Sequence, residues 1–209
     1  MNDSISNYGR LRRSLLVGAV LAASLGASGC VPMLATGAAV GTLAALDRRT
    51  VGAQTEDQAI ELKAATQIRD RIGSGVSVTS YNRKVLLTGQ VANERDKRTA
   101  EAIVAELANV RSIHNELQVS GVPSLSTSAA DAAITARVKA AFVDAADLQA
   151  NTIKVVTEAG TVYLMGLVSR READRAAQVA SRVAGVQRVV TVFEYITEEE
   201  AARSKPQSR

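Results

Sequence analysis

Two stretches of the chain share one pattern of hydrophobic and small residues. Residues 85–91 (VLLTGQV) and 162–168 (VYLMGLV) both fit V-x-L-x-G-x-V, at an offset of 77, that is 162 minus 85. Alternation of apolar and other side chains is typical of a strand with one buried face. Each stretch runs directly into a charged segment with helical spacing. The chain is therefore predicted to be a tandem repeat of one small unit.

The first copy begins at residue 47, where charged residues resume after the uncharged stretch over 14–46. Thr55 and Gln58 have the spacing of a capping box, and Gly73 and Gly75 are placed to end the helix that follows. The predicted elements are a helix over 56–72, strands over 76–81 and 84–91, a helix over 94–108 and a strand through 113–119. The order is helix, strand, strand, helix, strand.

The second copy repeats this order. Its first helix carries Ile134, Val138 and Phe142, which match Ala64, Ile68 and Ile72 at an offset of 70, that is 134 minus 64. The strands are offset by 77, so the loop over 144–152 is predicted to hold seven extra residues, 77 minus 70. The remaining elements are strands over 153–157 and 161–168, a helix over 170–184 and a strand through 189–195.

The predicted fold class is α+β, with two tandem αββαβ domains. Each domain is expected to have a three-stranded mixed sheet with both helices on one face. The organisation is a signal peptide over 1–29, a lipidated cysteine and Gly/Ala-rich tether over 30–46, a first domain over 47–120, a linker over 121–128, a second domain over 129–196 and a tail over 197–209. The tail is charged and aperiodic, and is predicted to be disordered.

The N-terminal segment has the layout of a lipoprotein signal. Three arginines precede an apolar run over 15–25, and small residues lead to the single cysteine, Cys30. Small residues before a cysteine resemble a bacterial lipobox, although Ala27 stands where leucine is commoner. The alternative is an uncleaved anchor helix, because 15–46 is long enough to span a bilayer. We expect lipidation of Cys30.

A diacylglycerol and an N-acyl chain such as palmitate would hold the mature protein on a membrane, because each buried methylene contributes about 0.8 kcal/mol. Val31 is not the aspartate that resembles an inner-membrane retention signal, which favours the outer membrane. The tether over 31–46 has three open interpretations: it lies on the lipid surface, packs on the first domain, or is a disordered linker.

The composition argues against several functions. The chain has 25 basic and 21 acidic residues, for a net charge of +4. Removal of the predicted signal peptide takes away three arginines and one aspartate, which leaves +2. This charge, with no tryptophan and only two phenylalanines, is not typical of a nucleic-acid binder. One cysteine excludes an intramolecular disulfide, and the lone His114 leaves no metal-ligand cluster.

The repeat resembles a known domain. A compact αββαβ unit with L-x-G-x-V in the second strand and A-x-V before the third is similar to the BON domain. Two such domains behind a lipobox resemble the dual-BON outer-membrane lipoproteins. The residues that carry the likeness are 47–52 (DRRTVG), 84–90 (KVLLTGQ), 162–172 and 180–183 (ASRV).

The resemblance implies a non-enzymatic protein on the periplasmic face of the outer membrane. Such a protein helps to keep that membrane intact, gathers at division sites, and binds an anionic phospholipid such as phosphatidylglycerol through its second domain. It implies no cofactor. The open alternative is a protein–protein adaptor for envelope assembly or for division and cell-wall hydrolase machinery, and the oligomeric state is not predicted.

Two surfaces of the second domain are candidate sites for lipid. Membrane contact needs cations beside exposed apolar side chains. The first helix of this domain supplies Ile134, Arg137, Val138, Lys139 and Ala141, and the resemblance favours it. A secondary basic face is formed on the second helix by Arg171, Arg175 and Arg182, since these positions share one side of a helix. Ordinary solvated helix faces are the alternative for both.

The sheet faces turned away from the helices differ between the copies. In the first copy this face carries Leu86, Thr88, Gln90, His114, Glu116 and Gln118, and is predicted to be solvated. In the second copy it carries Val156, Tyr163, Met165, Leu167, Val190 and Val192, and should not remain in water. We expect the first domain or the tether to cover it; a partner protein or a second copy of the chain is the alternative.

Catalysis has little support in the sequence. We find no Cys-His, Ser-His-Asp or H-E-x-x-H arrangement. Gly89 and Gly166 lie inside predicted strands, where glycine usually marks a bulge or a close approach of backbone. Phosphate binding is the alternative for these glycines, but neither precedes a helix in a glycine-rich loop.

Overall fold

The computed structural model describes residues 47–120 and 126–204. The first domain contains α1 (Val51–Ile72), β1 (Val76–Tyr81), β2 (Lys84–Val91), α2 (Glu94–Ala105), β3 (Ser112–Asn115) and β4 (Gln118–Val119). The second contains α3 (Ser126–Asp144), a short 3-10 turn (Ala150–Thr152), β5 (Ile153–Glu158), β6 (Thr161–Val168), α4 (Arg170–Ser181) and β7 (Arg188–Tyr195), followed by α5 (Glu198–Arg203). The predicted α+β class and the repeated αββαβ order are confirmed.

Both sheets are mixed and have the same topology. In the first, β2 is central: it pairs antiparallel with β1 and parallel with β3 and β4. In the second, β6 is central, antiparallel to β5 and parallel to β7. Val85 lies opposite Ile113 in one sheet, and Val162 lies opposite Val189 in the other. The two V-x-L-x-G-x-V stretches are therefore the central strands of the two domains.

Each domain packs its two long helices on one face of its sheet. The first core consists of Ile60, Ala64, Ile68, Val85, Leu87, Val91, Ala100, Ile103, Val104 and Leu117. The second core includes Ile134, Val138, Phe142, Leu148, Ile153, Val155, Val162, Leu164, Val168, Ala173, Ala176, Ala180 and Phe193.

The predicted register between α1 and α3 is wrong by one helical turn. Asp57 on α1 accepts hydrogen bonds from the amides of Asn82 and Arg83 in the hairpin turn, and Asp131 on α3 accepts them from Ala159 and Gly160. These carboxylates are equivalent, so the offset between the helices is 74, that is 131 minus 57. The loop before β5 then holds three extra residues, 77 minus 74, rather than seven.

Helix boundaries also differ from the prediction. Thr50, not Thr55, caps α1, because its side chain accepts from the Ala53 amide, while the Thr55 hydroxyl bonds to the Val51 carbonyl inside the helix. The second helix of each domain ends three residues early, at Ala105 and Ser181. Tight turns follow both ends, and left-handed backbone then lets the chain reverse.

The last strand of the first domain is broken, where a continuous strand was predicted. Asn115 diverts the backbone: its side-chain amide donates to the Lys97 carbonyl and the Glu101 carboxylate on α2. The Leu117 amide then bonds back to the Asn115 side chain. Val119, at the end of β4, is 43% exposed.

The segment predicted as a disordered tail contains a helix. Thr197 and Glu200 form a capping box at the start of α5, each side chain bonding the backbone amide of the other. Ala201 is buried. The disorder prediction is therefore wrong for residues 198–203; the rest of the tail beyond residue 204 lies outside the described residues.

Close backbone contacts explain the glycines inside the central strands. A Cβ atom at Gly89 would lie 2.1 Å from the Gly75 carbonyl oxygen, and one at Gly166 would lie 2.6 Å from the Thr152 carbonyl oxygen. Gly89 also has a φ of +106°. The predicted close approach is confirmed at both positions, and both glycines are structural.

Candidate membrane-binding helix and interdomain junction

Helix α3 places its predicted lipid-binding residues on two different sides. Ile134 and Val138 are buried in the second core, so they face the sheet and not solvent, and this part of the prediction needs correction. Arg137 and Lys139 are exposed, and Ala141 is half-buried. The cations are therefore available to a ligand, but the apolar residues first grouped with them are not.

A different set of residues forms the outer face of α3: Ala129, Ala133, Ala136, Ala140 and Val143. Val143 is 72% exposed. Because successive residues turn by about 100° around a helix, Arg137 and Lys139 lie on opposite flanks of this face. The outer face of α3 is thus a small apolar stripe with one cation on each side.

Two acidic side chains lie on or near this part of α3: Asp144, exposed at the end of the helix on the flank of Arg137, and Asp131. Asp131 is buried and accepts hydrogen bonds from the turn amides at 2.8 and 2.9 Å. Within the described residues, neither Arg137 nor Lys139 forms an ion pair. With two cations and one exposed carboxylate, this face of α3 carries a net charge of +1, that is 2 minus 1, and its cations are accessible to an external anion.

The secondary basic face on α4 is largely neutralised. Arg175 pairs with Asp147 at 2.8 Å, and Arg171 lies 3.6 Å from Glu198 on α5. The Asp147 pKa is lowered mainly by its hydrogen bond from Arg175. Arg182 is exposed at the far end of the helix. Two of the three predicted arginines therefore already have carboxylate partners.

The bare sheet face of the second domain packs against the first domain. Tyr163, Met165 and Val192 are buried, and Leu167 and Val190 are partly buried in the same cluster. Leu86 and Tyr81 of the first domain complete that cluster. The prediction of a solvated face on the first sheet is wrong, because Leu86 and Thr88 are almost fully buried. The sheets meet through the faces that their helices leave uncovered.

Polar contacts surround this apolar interface. Lys154 pairs with Glu61 at 2.9 Å, and the Lys84 ammonium donates to the Phe193 carbonyl at 3.0 Å. Glu116 lies 3.6 Å from Arg188. The pKa of Tyr163 is raised mainly by burial, and the nearby Glu116 carboxylate raises it further. These contacts are partly exposed, so they contribute more to alignment than to the free energy of association.

The segment before α1 joins the two domains. Arg48 reaches into the second domain, where its guanidinium forms a bidentate pair with Glu172 at 2.7 and 2.9 Å. Arg49 stays with the first domain: it pairs with Asp57 at 2.7 Å and lies over the Tyr81 ring at 4.1 Å. Burial would raise the pKa of Asp47, but hydrogen bonds from Arg49 outweigh it and keep that pKa low.

Part of the predicted anchor falls beyond the described ranges. Cys30 and the tether over 31–46 lie outside the described residues. Within the described part of the chain, no helix is both long and apolar enough to cross a bilayer. The same residues contain no group of three or more side chains suited to hold a metal ion.

The fold and the repeat define the class of protein. The BON domain family matches residues 56–121 and 130–197, which together cover more than half of the chain. The chain belongs to the BON domain family and contains two copies of the domain. BON domains are not an enzyme family.

Relatives of known name are similar over most of their length. The outer membrane lipoprotein DolP of Haemophilus influenzae is 35% identical over 85% of this chain and 94% of its own. A 21 kDa hemolysin of Actinobacillus pleuropneumoniae is 31% identical over 72% of this chain and 80% of its own. CdsD, a structural protein of the type III secretion system of Chlamydia trachomatis, is 14% identical over 71% of this chain and 98% of its own, with a TM-score of 0.29, too low to inform fold or function.

Proposed function

We propose that this protein is an outer-membrane lipoprotein of the periplasmic face that binds anionic phospholipid through the outer face of α3 and so supports the integrity of the membrane. The lipobox ending at Cys30 and the similarity to an outer membrane lipoprotein support the anchor and its location. The observation that carries the lipid-binding part is the apolar stripe with unpaired flanking cations on the described face of α3.

The geometry supports a weak contact rather than a deep insertion. Each cation near an anionic surface contributes about 1 kcal/mol, so Arg137 and Lys139 together give about 2 kcal/mol. The alanines of the stripe are small, and Val143 is the largest side chain that could enter the headgroup region. Such a contact corresponds to a dissociation constant of about 30 mM in free solution, so its measurement on an unanchored chain needs high lipid concentrations.

An acylated Cys30 would change that balance. Tethering converts the second contact into an intramolecular one, with an effective concentration in the millimolar range for a short flexible linker. A helix face that binds weakly by itself is then occupied for a larger fraction of the time than it would be in free solution. The lipid anchor keeps the protein on the membrane, and α3 makes the contact selective for anionic headgroups.

The test uses a soluble chain that begins at Val31, so that acyl chains do not dominate binding. Co-sedimentation is measured with vesicles of increasing phosphatidylglycerol content. We expect binding to rise with that content and to fall at least about tenfold in the Arg137→Glu/Lys139→Glu variant, because reversal of two charges removes attraction and adds repulsion.

The matched control is Arg95→Glu/Arg98→Glu, which reverses two cations on α2 of the first domain. It changes the net charge by the same amount, so an effect of overall charge would appear equally in both variants. Binding that ignores phosphatidylglycerol content, or that falls equally in both variants, would contradict the proposal.

A further inference from the structure

Arg48 occupies a site in the second domain in which its guanidinium donors have partners. Beyond the Glu172 pair, Nη1 donates to the Leu167 carbonyl at 2.7 Å. The remaining contacts are Nη2 to Gln149 Oε1 at 3.1 Å, Nη2 to the Ala201 carbonyl at 3.2 Å and Nε to Ser204 Oγ at 2.7 Å. The Arg48 and Glu172 side chains are each only 3% exposed. The second domain therefore forms a buried binding site for the guanidinium of a residue that lies outside that domain.

Asp47 and Arg49, on either side of Arg48 in sequence, contact the first domain. Arg49 bonds to Asp47 and to Asp57, each at 2.7 Å, and Asp57 in turn fixes the β1–β2 turn. Tyr81 closes the arrangement: its hydroxyl lies 3.4 Å from Asp47 and 3.3 Å from the Thr152 carbonyl of the second domain. Three consecutive residues thus contact both domains at one edge of the interface.

We propose that Asp47, Arg48 and Arg49 form an interdomain clasp that determines whether the two domains stay packed together. The apolar cluster between the sheets is small, and the other interdomain ion pairs of the described residues are partly exposed. Arg48–Glu172 is the fully desolvated pair among them, and removal of one partner leaves a buried, uncompensated charge. When the clasp is released, the domains separate as intact units.

The clasp has a consequence for how the chain is anchored. The segment that precedes α1 is bound to the second domain through the contact of Arg48 with Glu172, 124 residues away in sequence. A release of Arg48 would therefore free the second domain to reorient relative to the first. The clasp acts at the interdomain junction, whether or not α3 binds lipid.

Hydroxyl-radical footprinting of the purified full-length chain tests the clasp. Met165 and Tyr163 are completely buried at the interface, whereas Phe142, 1% exposed, lies in the core of the second domain. In Arg48→Met we expect labelling of Met165 and Tyr163 to rise at least about tenfold, because loss of a buried ion-pair partner is strongly destabilising. Phe142 should stay protected.

Two further variants make the result specific. Arg175→Met removes a partly exposed, single-contact arginine–carboxylate pair from α4, outside the clasp, and should keep Met165 protected as in the unmodified chain. Arg49→Met releases only the first-domain side and should again expose Met165 without exposing Phe142. The proposal is overturned if Met165 stays protected in Arg48→Met, or if Met165 and Phe142 become labelled together in both clasp variants, which would indicate unfolding of the domain.

Discussion

Removal of the Asp57 carboxylate is predicted to destabilise the first domain more than the equivalent change destabilises the second. Asp57 is 2% exposed and accepts bonds from Ser80 Oγ at 2.6 Å and from the amides of Asn82 and Arg83 at 2.7 Å each. It also pairs with Arg49. Asp131 has only the two turn amides as partners among the described residues.

The magnitude follows from these bonds. A hydrogen bond to a charged group contributes about 1.5–3 kcal/mol, so loss of two amide bonds corresponds to about 3–6 kcal/mol in either domain. Asp57→Ala also leaves Ser80 and part of Arg49 without a partner. We therefore expect it to cost about 1–3 kcal/mol more than Asp131→Ala. Against a typical domain stability of about 5–15 kcal/mol, the total loss caused by Asp57→Ala is enough to leave the first domain partly unfolded.

The assay is urea unfolding followed by circular dichroism, with hydrogen exchange measured on peptides from each domain to assign the loss. Asp70→Ala is the control, because Asp70 is exposed on the same helix and should change stability by less than about 0.5 kcal/mol. If Asp57→Ala costs no more than this control, or if Asp131→Ala is the costlier change, the reasoning from the number of bonds is refuted.

Two further predictions concern pH and backbone geometry. Burial would raise the pKa of Glu172, but the hydrogen bond from Arg48 outweighs it and keeps that pKa below 4.5. The stabilisation is therefore complete above about pH 5 and is lost as the pH falls through the lowered pKa. Glu172→Gln should flatten the dependence of unfolding free energy on pH in this range, and an unchanged slope would contradict the assignment. At Gly89, an alanine Cβ would meet the Gly75 carbonyl, so Gly89→Ala should lower the thermal midpoint by several degrees, whereas Gly52→Ala, which meets only a side-chain oxygen at 3.9 Å, should not. Equal midpoints for the two variants would show that the close approach is relaxed in solution.

Strand positions were predictable because their signals are local. The V-x-L-x-G-x-V pattern identified both central strands at their observed bounds, Lys84–Val91 and Thr161–Val168. The helix register was not predictable in this way. Apolar residues recur every four positions along α1, from Ile60 to Ile72, so a shift by one turn gives an equally good match. The contact between Asp57 and the turn, matched by Asp131 in the second domain, identifies the observed register.

The clasp could not be derived from sequence patterns alone. Residues 47–52 were singled out only by their resemblance to a family, because the partners of Arg48 lie more than 100 residues along the chain. In the sequence, an arginine beside another charged residue is typical of a solvated surface position. A buried, multiply bonded guanidinium has no local signature, and it appears only when the tertiary fold brings Glu172 and Gln149 together.

The lipid-binding prediction named two cations that are exposed on α3, but it grouped them with apolar residues that are buried. Val138 stands between Arg137 and Lys139 in sequence, yet adjacent residues on a helix point about 100° apart. The residue between two flanking cations therefore faces the core, and the exposed alanines nearest to it lie two positions away, at Ala136 and Ala140. The prediction was wrong because it treated residues that are adjacent in sequence as if they shared one face of the helix.

Photo-crosslinking in intact cells tests the central claim most directly. A photoreactive amino acid is placed at Ala140 on the outer face of α3, with a control at Ala102, exposed on α2 of the first domain. We expect the Ala140 position to yield phospholipid adducts, identified by mass, and the Ala102 position to yield far fewer. A discrete protein adduct at Ala140 without phospholipid would contradict lipid binding by α3 and indicate an adaptor instead.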